Sequence, residues 1–397
     1  MSAVTARHRQ TTATALLAFG LLLLLALPLA AFETRAKAAY VYDLGTGTVL
    51  LEKNADEPLP PASMSKLMTL YMAFEALEDG RLQLDEKLPV SRHAMSYKGS
   101  TMFLNTTDRV RVEDLLRGII VLSGNDATVV IAEALSPDGT EAGFARMMTE
   151  RAREMGMTNS HFTNSNGWPQ AGHRMSLRDL GTLAKRIILD FPTFYPMFAE
   201  TEFRFDGRAP KNIHNRNPLL GLGIGADGLK TGHTQEAGYG LVGSARQGNR
   251  RIIFVISGLD TKEARAEEAE RIINWAFRQF VEKTVADRDE AIATADVWMG
   301  DTGQINLIAP EDLTILLPAR KLKDGLKGII EYRGPIEAPV SKGQQVAELV
   351  IARKDLPEAR LPLVSDRDVA RGGIGPRLRT AANVLMGRLV EKAKSLF

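Results

Sequence analysis

Ser63 and Lys66 are spaced so that they could act as a nucleophile and its base. The apolar residues that follow Pro60 and Pro61 recur at intervals of three and four, which predicts a helix that begins near Ser63. Residues i and i+3 lie on one face of a helix, so a neutral Lys66 could take the proton of the Ser63 hydroxyl. A free lysine has a pKa of about 10.4, so this role requires desolvation or a neighbouring cation. An N-cap serine and a solvated lysine would have the same spacing.

Two later stretches favour the catalytic interpretation. Residues 123–125 read Ser-Gly-Asn and lie between two apolar helical runs, where a turn could present Ser123 and Asn125 into a cleft. Residues 230–232 read Lys-Thr-Gly and precede a predicted strand at residues 239–244. Ser-x-x-Lys, Ser-x-Asn and Lys-Thr-Gly, in this order, form the signature of the penicillin-binding proteins and class A β-lactamases.

The chain resembles one branch of these proteins over nearly its whole length, the D-alanyl-D-alanine carboxypeptidases. Residues 40–69 and 227–243 carry the likeness most clearly. The resemblance implies a serine peptidase that removes the terminal D-alanine from peptidoglycan stem peptides through an acyl-enzyme on Ser63. It also implies that β-lactams acylate Ser63, and that no cofactor is needed.

The resemblance assigns roles to the motif residues and to their neighbours. Ser63 would attack the D-Ala-D-Ala peptide bond, Lys66 would be its base, and Ser123 would pass a proton to the leaving amine. The backbone N–H groups of Ser63 and His233 would form the oxyanion hole. The residues implied to bind the substrate are Asn125, Lys230, Thr231, Gly232 and His233, together with Arg216 and Arg265, which fall where the family has arginines near the carboxylate pocket.

Three other functions remain to be weighed. A β-lactamase of class A needs a loop glutamate for deacylation, and the corresponding residues 158–173 contain no Asp or Glu. An endopeptidase that cuts D-Ala cross-links would use the same site, so the sequence leaves this activity open. A non-catalytic murein-binding protein would have no need of the complete set of motif residues.

Composition excludes several further classes of function. The net charge of +2 gives no support for a nucleic-acid partner. The absence of cysteine excludes disulfides, thiolate metal sites and a cysteine nucleophile. The six histidines include no closely spaced pair, so no metal site is predicted.

Residues 1–31 are predicted to be a secretory signal peptide. Basic residues at positions 7–9 precede an apolar run at 13–29, and Pro28 and the alanines at 30 and 31 favour cleavage there. An uncleaved anchor is the alternative, because about 17 apolar residues is near the lower limit for crossing a bilayer. Either interpretation places the rest of the chain in the periplasm or at the cell exterior, and we expect an exported protein on the periplasmic face of the inner membrane.

The order of elements predicts an α+β fold for residues 32–284. A hairpin, a series of helices, a second hairpin and a last helix at about 261–282 would let the two hairpins share one antiparallel sheet, as in a β-lactamase/transpeptidase-like domain. Residues 285–375 contain short β-like runs separated by turns, which predicts a small β-rich domain. This domain resembles the C-terminal domain of the carboxypeptidases, and we interpret it as a spacer or interaction module.

Residues 376–397 are predicted to form an amphipathic helix on the membrane. The apolar residues from Leu378 to Leu396 recur three or four apart, and the segment has five basic residues and one acid. Such a helix fits the interface of an anionic bilayer, because it is too often interrupted by charge to span one. A helix packed on the β-rich domain is the alternative.

Overall fold

The computed structural model describes residues 32–208, 211–321, 325–353 and 356–373, together with Gly375. The predicted signal peptide and the predicted amphipathic helix therefore lie outside the described residues. Among the residues that are described, no helix is both long and apolar enough to cross a membrane. The fold below is that of the chain from Ala36 onward.

The first domain is built on one antiparallel sheet with the strand order β2-β1-β7-β6-β5. Its strands come from both ends of the domain: β1 (Ala38–Asp43), β2 (Thr48–Lys53), β5 (Ala226–Thr234), β6 (Gly238–Gln247) and β7 (Arg250–Leu259). Tyr40 of β1 pairs with Val255 of β7, which joins the first hairpin to the second. A short pair, β3 (Lys87–Pro89) and β4 (Arg109–Arg111), stands apart from this sheet. The predicted α+β fold with a shared antiparallel sheet is confirmed.

Seven α-helices complete the described part of this domain: α1 (Lys66–Glu78), α2 (Arg92–Ser96), α3 (Val112–Arg117), α4 (Asn125–Leu135), α5 (Glu141–Glu154), α6 (Leu177–Asp190) and α7 (Lys262–Gln279). The first three turns of α1 are buried on every side, because apolar residues occupy all faces of that stretch. Helix α6 packs on β1 so closely that a Cβ at Gly181 would lie 2.7 Å from the Tyr40 ring. Only glycine allows this approach between the helix and the sheet.

Two short irregular helices carry motif residues and differ from the predicted elements. Ser63 lies in a 3₁₀ turn, Ala62–Ser65, so the α-helix itself begins three residues after Ser63. The apolar run before Ser123, which was expected to be helical, forms α3 and changes at Gly118 into a π-helical turn, Gly118–Leu122. The turn ends at Ser123, whose backbone is left-handed with φ of 61°. Both departures occur immediately beside residues that were predicted to do chemistry.

The second domain is all-β and has its own apolar core. Its strands are β8 (Phe280–Ala286), β9 (Ala291–Trp298), β10 (Gln304–Ile308), β11 (Leu313–Pro318), β12 (Gly328–Glu331), β13 (Ile336–Glu337), β14 (Gln345–Ile351) and β15 (Ala359–Ser365). Six of them form a sheet in the order β12-β14-β15-β10-β9-β13, and β11 pairs with β8. The predicted helix at 261–282 was too long, because residues 280–282 belong to β8, which also crosses the predicted boundary at residue 284.

Candidate active site

The side chains of Ser63 and Lys66 are in direct contact. Lys66 Nζ lies 2.9 Å from Ser63 Oγ and also donates a hydrogen bond of 2.7 Å to the carbonyl oxygen of Asn166. Lys66 is fully buried, whereas Ser63 keeps some exposure to the cleft. Burial, helped by the positive charge of Arg216, lowers the pKa of Lys66 to about 7. A large fraction of Lys66 is therefore neutral near pH 7 and able to accept a proton.

Ser123 forms a second pair with Lys230. Lys230 Nζ donates to Ser123 Oγ at 3.0 Å and to the carbonyl oxygen of Thr231 at 3.1 Å. The π-helical turn before Ser123 places its hydroxyl there, since the left-handed backbone redirects the chain between α3 and α4. Burial, followed by the charges of Lys66, Arg216 and Arg265, holds the pKa of Lys230 well below its ordinary value.

Asn125 begins α4 and is held by the wall of the cleft. Its Nδ2 donates to the carbonyl oxygen of Lys98 at 2.7 Å, and its backbone N–H donates to that of Ser100 at 2.7 Å. Asp126 fixes the same segment, since its carboxylate accepts from the backbone N–H groups of Met102 and Leu104. The amide of Asn125 is thus oriented by backbone groups of a neighbouring loop.

Gly232 allows β5 to lie against the turn that carries Ser63. A Cβ at Gly232 would approach the Pro61 carbonyl oxygen and Met64 Cγ to 3.0 Å each. The space beside the Cα of Gly232 is therefore filled by the turn that carries Ser63. Next along β5, His233 is exposed and stacks on Tyr239, with 3.8 Å between the ring centroids.

Arg216 and Arg265 lie in the same cleft. Arg216 donates to Ser100 Oγ at 2.8 Å and to the Leu122 carbonyl oxygen at 2.9 Å. Arg265 donates to the Arg216 carbonyl oxygen at 3.3 Å, and its buried Nε has no hydrogen-bond partner. The cavity is about 630 Å³, and its wall includes seven residues from the sequence analysis: Ser63, Ser123, Arg216, Thr231, Gly232, His233 and Arg265.

The cations of this cleft are not neutralised by neighbouring acids. In the described part of the chain, neither Lys66 nor Lys230 has a carboxylate within ion-pair distance, and their close polar contacts are hydroxyl and carbonyl oxygens. Arg216 likewise contacts only neutral oxygens. The positive charge of the cleft is therefore available to an anionic group of a ligand. No cluster of three or more metal-ligating acids or histidines occurs among the described residues.

Three groups near the site were missed by the sequence analysis. The carbonyl of Asn166 holds Lys66, but a backbone group has no signal in residue type. His173, to which no role was assigned, contacts Ser65 Oγ at 2.7 Å through Nε2 and accepts from the Thr163 N–H at Nδ1. Burial lowers the pKa of His173 to about 4, so it is neutral and donates from Nε2. The third group is Glu141, the first residue of α5, which belongs to none of the three motifs.

Comparison with known proteins gives a consistent result. A family model described as D-alanyl-D-alanine carboxypeptidase matches residues 27–261, and one described as Penicillin-binding protein 5, C-terminal domain, matches residues 280–371. The chain is 36% identical over 352 residues to the D-alanyl-D-alanine carboxypeptidase DacC of Escherichia coli, with 86% of each chain covered. It is 34% identical over 339 residues to DacF of Bacillus subtilis, covering 85% of this chain and 87% of that one.

Solved structures agree with these matches. Penicillin binding protein 5 from Haemophilus influenzae superposes with a TM-score of 0.77 at 32% identity, covering 86% of this chain and 99% of that one. Penicillin-Binding Protein D2 from Listeria monocytogenes, solved in its ampicillin-bound form, superposes with a TM-score of 0.56 at 32% identity. The latter covers 62% of this chain and all of its own length.

Proposed function

The chain belongs to the D-alanyl-D-alanine carboxypeptidase family, and from this premise we propose the part that each residue of its cleft plays in the reaction. It is a serine-type peptidase of peptidoglycan remodelling, whose substrates are stem peptides that end in D-Ala-D-Ala. The contact between Ser63 Oγ and the desolvated Lys66 Nζ, at 2.9 Å, is the observation that carries the assignment of nucleophile and base.

Acylation begins at Ser63. Lys66 takes the hydroxyl proton as Ser63 Oγ attacks the carbonyl carbon of the penultimate D-alanine, and an oxyanion forms between the N–H groups of Ser63 and His233. The peptide C–N bond then breaks, and the amine of the departing D-alanine receives a proton passed from Lys66 through Ser123. In deacylation a water molecule gives a proton to Lys66 and attacks the ester carbonyl. The ester C–O bond then breaks, and Lys66 returns the proton to Ser63 Oγ, which restores the hydroxyl and releases the shortened peptide.

The unpaired cations recognise the end of the substrate. The terminal carboxylate of D-Ala-D-Ala binds near Lys230 and the Thr231 hydroxyl, with Arg216 and Arg265 supplying further positive charge. This assignment is supported by the contacts of Lys230 and Arg216, which are with neutral oxygens, and by the unpartnered Nε of Arg265. Asn125 holds the amide of the peptide from the opposite wall, as the family resemblance implies.

Labelled penicillin and the peptide diacetyl-L-Lys-D-Ala-D-Ala test this assignment. We expect the wild type to be labelled and to release D-alanine, and the Ser63→Ala variant to do neither, because the acyl-enzyme needs the Ser63 oxygen. Ser96→Ala, which removes an exposed hydroxyl bonded to its own helix, is the matched control. Equal labelling of wild type and Ser63→Ala would refute Ser63 as the nucleophile.

The same assays separate the alternative activities. Rapid release of the penicilloyl group would indicate a β-lactamase, and release of D-Ala-linked monomers from cross-linked muropeptides would indicate an endopeptidase. Glu141 contacts the loop at residues 158–173 through Ser165, and both of its oxygens already accept hydrogen bonds. It is therefore not free to activate a deacylating water, and we expect release of penicillin to be slow.

We propose further that the protein is exported and lies on the periplasmic face of the inner membrane through residues 377–397. The amphipathic and basic pattern of this segment is the supporting observation. The protein without residues 1–31 should sediment with anionic vesicles, salt should weaken this binding, and deletion of 377–397 should abolish it without lowering hydrolysis of the soluble peptide. A truncated protein that still binds vesicles, or that unfolds, would favour the helix packed on the β-rich domain.

A further inference from the structure

Glu141 is a buried carboxylate that none of the three motifs includes. It is the first residue of α5 and is 7% exposed, although glutamate at the start of a helix is normally solvated. Its carboxylate accepts five hydrogen bonds from four side chains and one backbone N–H. The negative charge of an acid in the first turn interacts favourably with the helix dipole. That interaction requires neither burial of the carboxylate nor five hydrogen-bond donors. The donors come from the two walls of the cleft.

The first oxygen of Glu141 holds the wall behind Lys66. Oε1 accepts from the backbone N–H of Ser165 at 2.9 Å, from Ser165 Oγ at 2.6 Å and from Asn166 Nδ2 at 3.3 Å. The carbonyl oxygen of Asn166 is the group that accepts from Lys66 Nζ. One turn further along α1, Thr69 Oγ1 donates to the Ser165 carbonyl oxygen at 2.6 Å. Glu141 therefore holds the backbone of Ser165 and Asn166, and the Asn166 carbonyl in turn holds the amine of Lys66.

The second oxygen holds the wall behind Asn125. Oε2 accepts from Tyr97 OH at 2.7 Å and contacts His93 Nε2 at 2.8 Å. The residue after Tyr97 is Lys98, whose carbonyl oxygen accepts from Asn125 Nδ2. Burial and the contact with Glu141 raise the pKa of Tyr97 above its ordinary range, so its hydroxyl remains a donor. The two walls thus meet on the two oxygens of one carboxylate.

We propose that Glu141 is a positioning residue for both halves of the active site, through Asn166 for the amine of Lys66 and through Tyr97 for the amide of Asn125. This inference rests on the proposed function, in which Lys66 is the base. The carboxylate also acts at a distance on the charge of Lys66. Its negative charge, with that of Asp126, favours the ammonium form, whereas burial and the charges of Arg216 and Lys230 oppose it.

Two substitutions distinguish the effect of the side-chain length of Glu141 from the effect of its charge. Glu141→Gln keeps the length of the side chain and removes its negative charge. The acid limb of acylation, which is the fall in the acylation rate as Lys66 becomes protonated, should therefore move to lower pH by about half a unit to one unit. Glu141→Asp keeps the negative charge but, with a shorter side chain, moves the carboxylate oxygens away from the loop. The pH of the acid limb should therefore be unchanged, and the plateau rate of acylation should fall roughly 10–100-fold. Labelling by penicillin from pH 5 to 9 measures both quantities. The titratable groups that face Glu141 are unchanged in both Glu141 variants: His93, Tyr97, Glu133 and His173.

Tyr97→Phe tests the second wall by itself. Loss of the hydroxyl removes one support of the segment that holds Asn125, so KM for diacetyl-L-Lys-D-Ala-D-Ala should rise severalfold with a smaller change in kcat. The acid limb should stay in place, because the carboxylate remains charged. Glu154→Gln, on the exposed end of the same helix where Glu154 pairs with Arg151, is the control and should change neither quantity.

The outcomes are distinguishable. The inference is wrong if Glu141→Gln leaves the pH dependence of acylation unchanged and Glu141→Asp leaves the plateau rate unchanged, while thermal melting shows that both variants are folded. Glu141 would then be only a structural residue. If either variant is unfolded, Tyr97→Phe with an unchanged KM still refutes it. If the wild type is not labelled on Ser63 at all, the proposed function fails, and the inference fails with it.

Discussion

Two regions of the first domain bury positive charge, and they do so in opposite ways. Beneath the sheet, Arg250 donates to Asp43 Oδ2 at 2.7 Å and to the carbonyl oxygens of Ala276 and Phe280. In the cleft, Lys66 and Lys230 are at least as deeply buried but contact only hydroxyl and carbonyl oxygens within hydrogen-bonding distance. The first arrangement neutralises its charge internally, and the second leaves two amines without a carboxylate partner.

The difference separates a charge that supports the fold from charges that serve a reaction. A buried ion pair recovers part of its desolvation cost from its partner, and removing one partner leaves the other unpaired. The amines of the cleft have no such partner, so desolvation acts on their protonation instead and lowers the pKa of both. This comparison predicts that substitutions beneath the sheet change stability and that those in the cleft change rates.

Lys66→Arg should give the largest change in rate. Arginine keeps the positive charge, but its pKa above about 12 prevents it from accepting a proton near neutral pH. Acylation by penicillin should fall by roughly 10²–10⁴-fold or more, the value of general-base assistance. Lys262→Arg, on the exposed rim of the same cavity, is the control. Near-normal acylation by Lys66→Arg would show that Lys66 acts only through charge or packing.

Asp43→Ala should give the largest change in stability. It leaves Arg250 buried without its carboxylate, which costs about 3–5 kcal/mol of unfolding free energy in comparable buried pairs. Urea denaturation measures this loss, and labelling of the folded fraction by penicillin should persist. Asp79→Ala, which breaks an exposed contact with Arg81, should leave the denaturation midpoint unchanged. An Asp43→Ala protein that is as stable as the control would erase the distinction between the two regions.

Arg216→Gln should weaken substrate binding without destabilising the fold. We expect KM for the D-Ala-D-Ala peptide to rise about tenfold, since one charged contact to the carboxylate is worth roughly 1.5–3 kcal/mol at most. Because the charge of Arg216 lowers the pKa of Lys66, the acid limb of acylation should also move to higher pH, opposite to the shift expected for Glu141→Gln. If the pH of the acid limb and the KM are both unchanged, Arg216 neither lowers the pKa of Lys66 nor binds the substrate carboxylate.

His173 gives an effect on stability that appears only at acid pH. Its folded pKa of about 4 lies below the unfolded value of about 6.5, so the unfolded chain binds the extra proton between these values. The stability that neutral His173 contributes is complete above pH 6.5 and is lost as the pH falls from 6.5 through 4, by about 3 kcal/mol. The difference in unfolding free energy between wild type and His173→Gln should shrink by this amount across that window. A constant difference would show that folding does not lower the pKa of His173.

The sequence by itself was sufficient for the fold class and for the grouping of the motif residues as candidates. The spacing of Ser63 and Lys66 is local and follows from one helical turn, although the structure puts the serine in a 3₁₀ turn. Hairpins and helices of the first domain have periodic patterns that depend on near neighbours in the chain. Three motifs in a known order then allowed residues far apart in sequence to be assigned to one cleft.

Only the tertiary structure decided which other groups support the cleft and where the last helix ends. The apolar pattern of α7 continues beyond Gln279, but Phe280 begins a strand because β8 pairs with β11 and the Phe280 carbonyl oxygen accepts from Arg250. Every residue of a chain has a backbone carbonyl, so residue type cannot show that the carbonyl of Asn166 is the one that contacts Lys66. Glu141 looks like an ordinary acid at the start of a helix. It becomes part of the site only because folding brings Tyr97 and Ser165, 44 residues before it and 24 after it, to the same carboxylate.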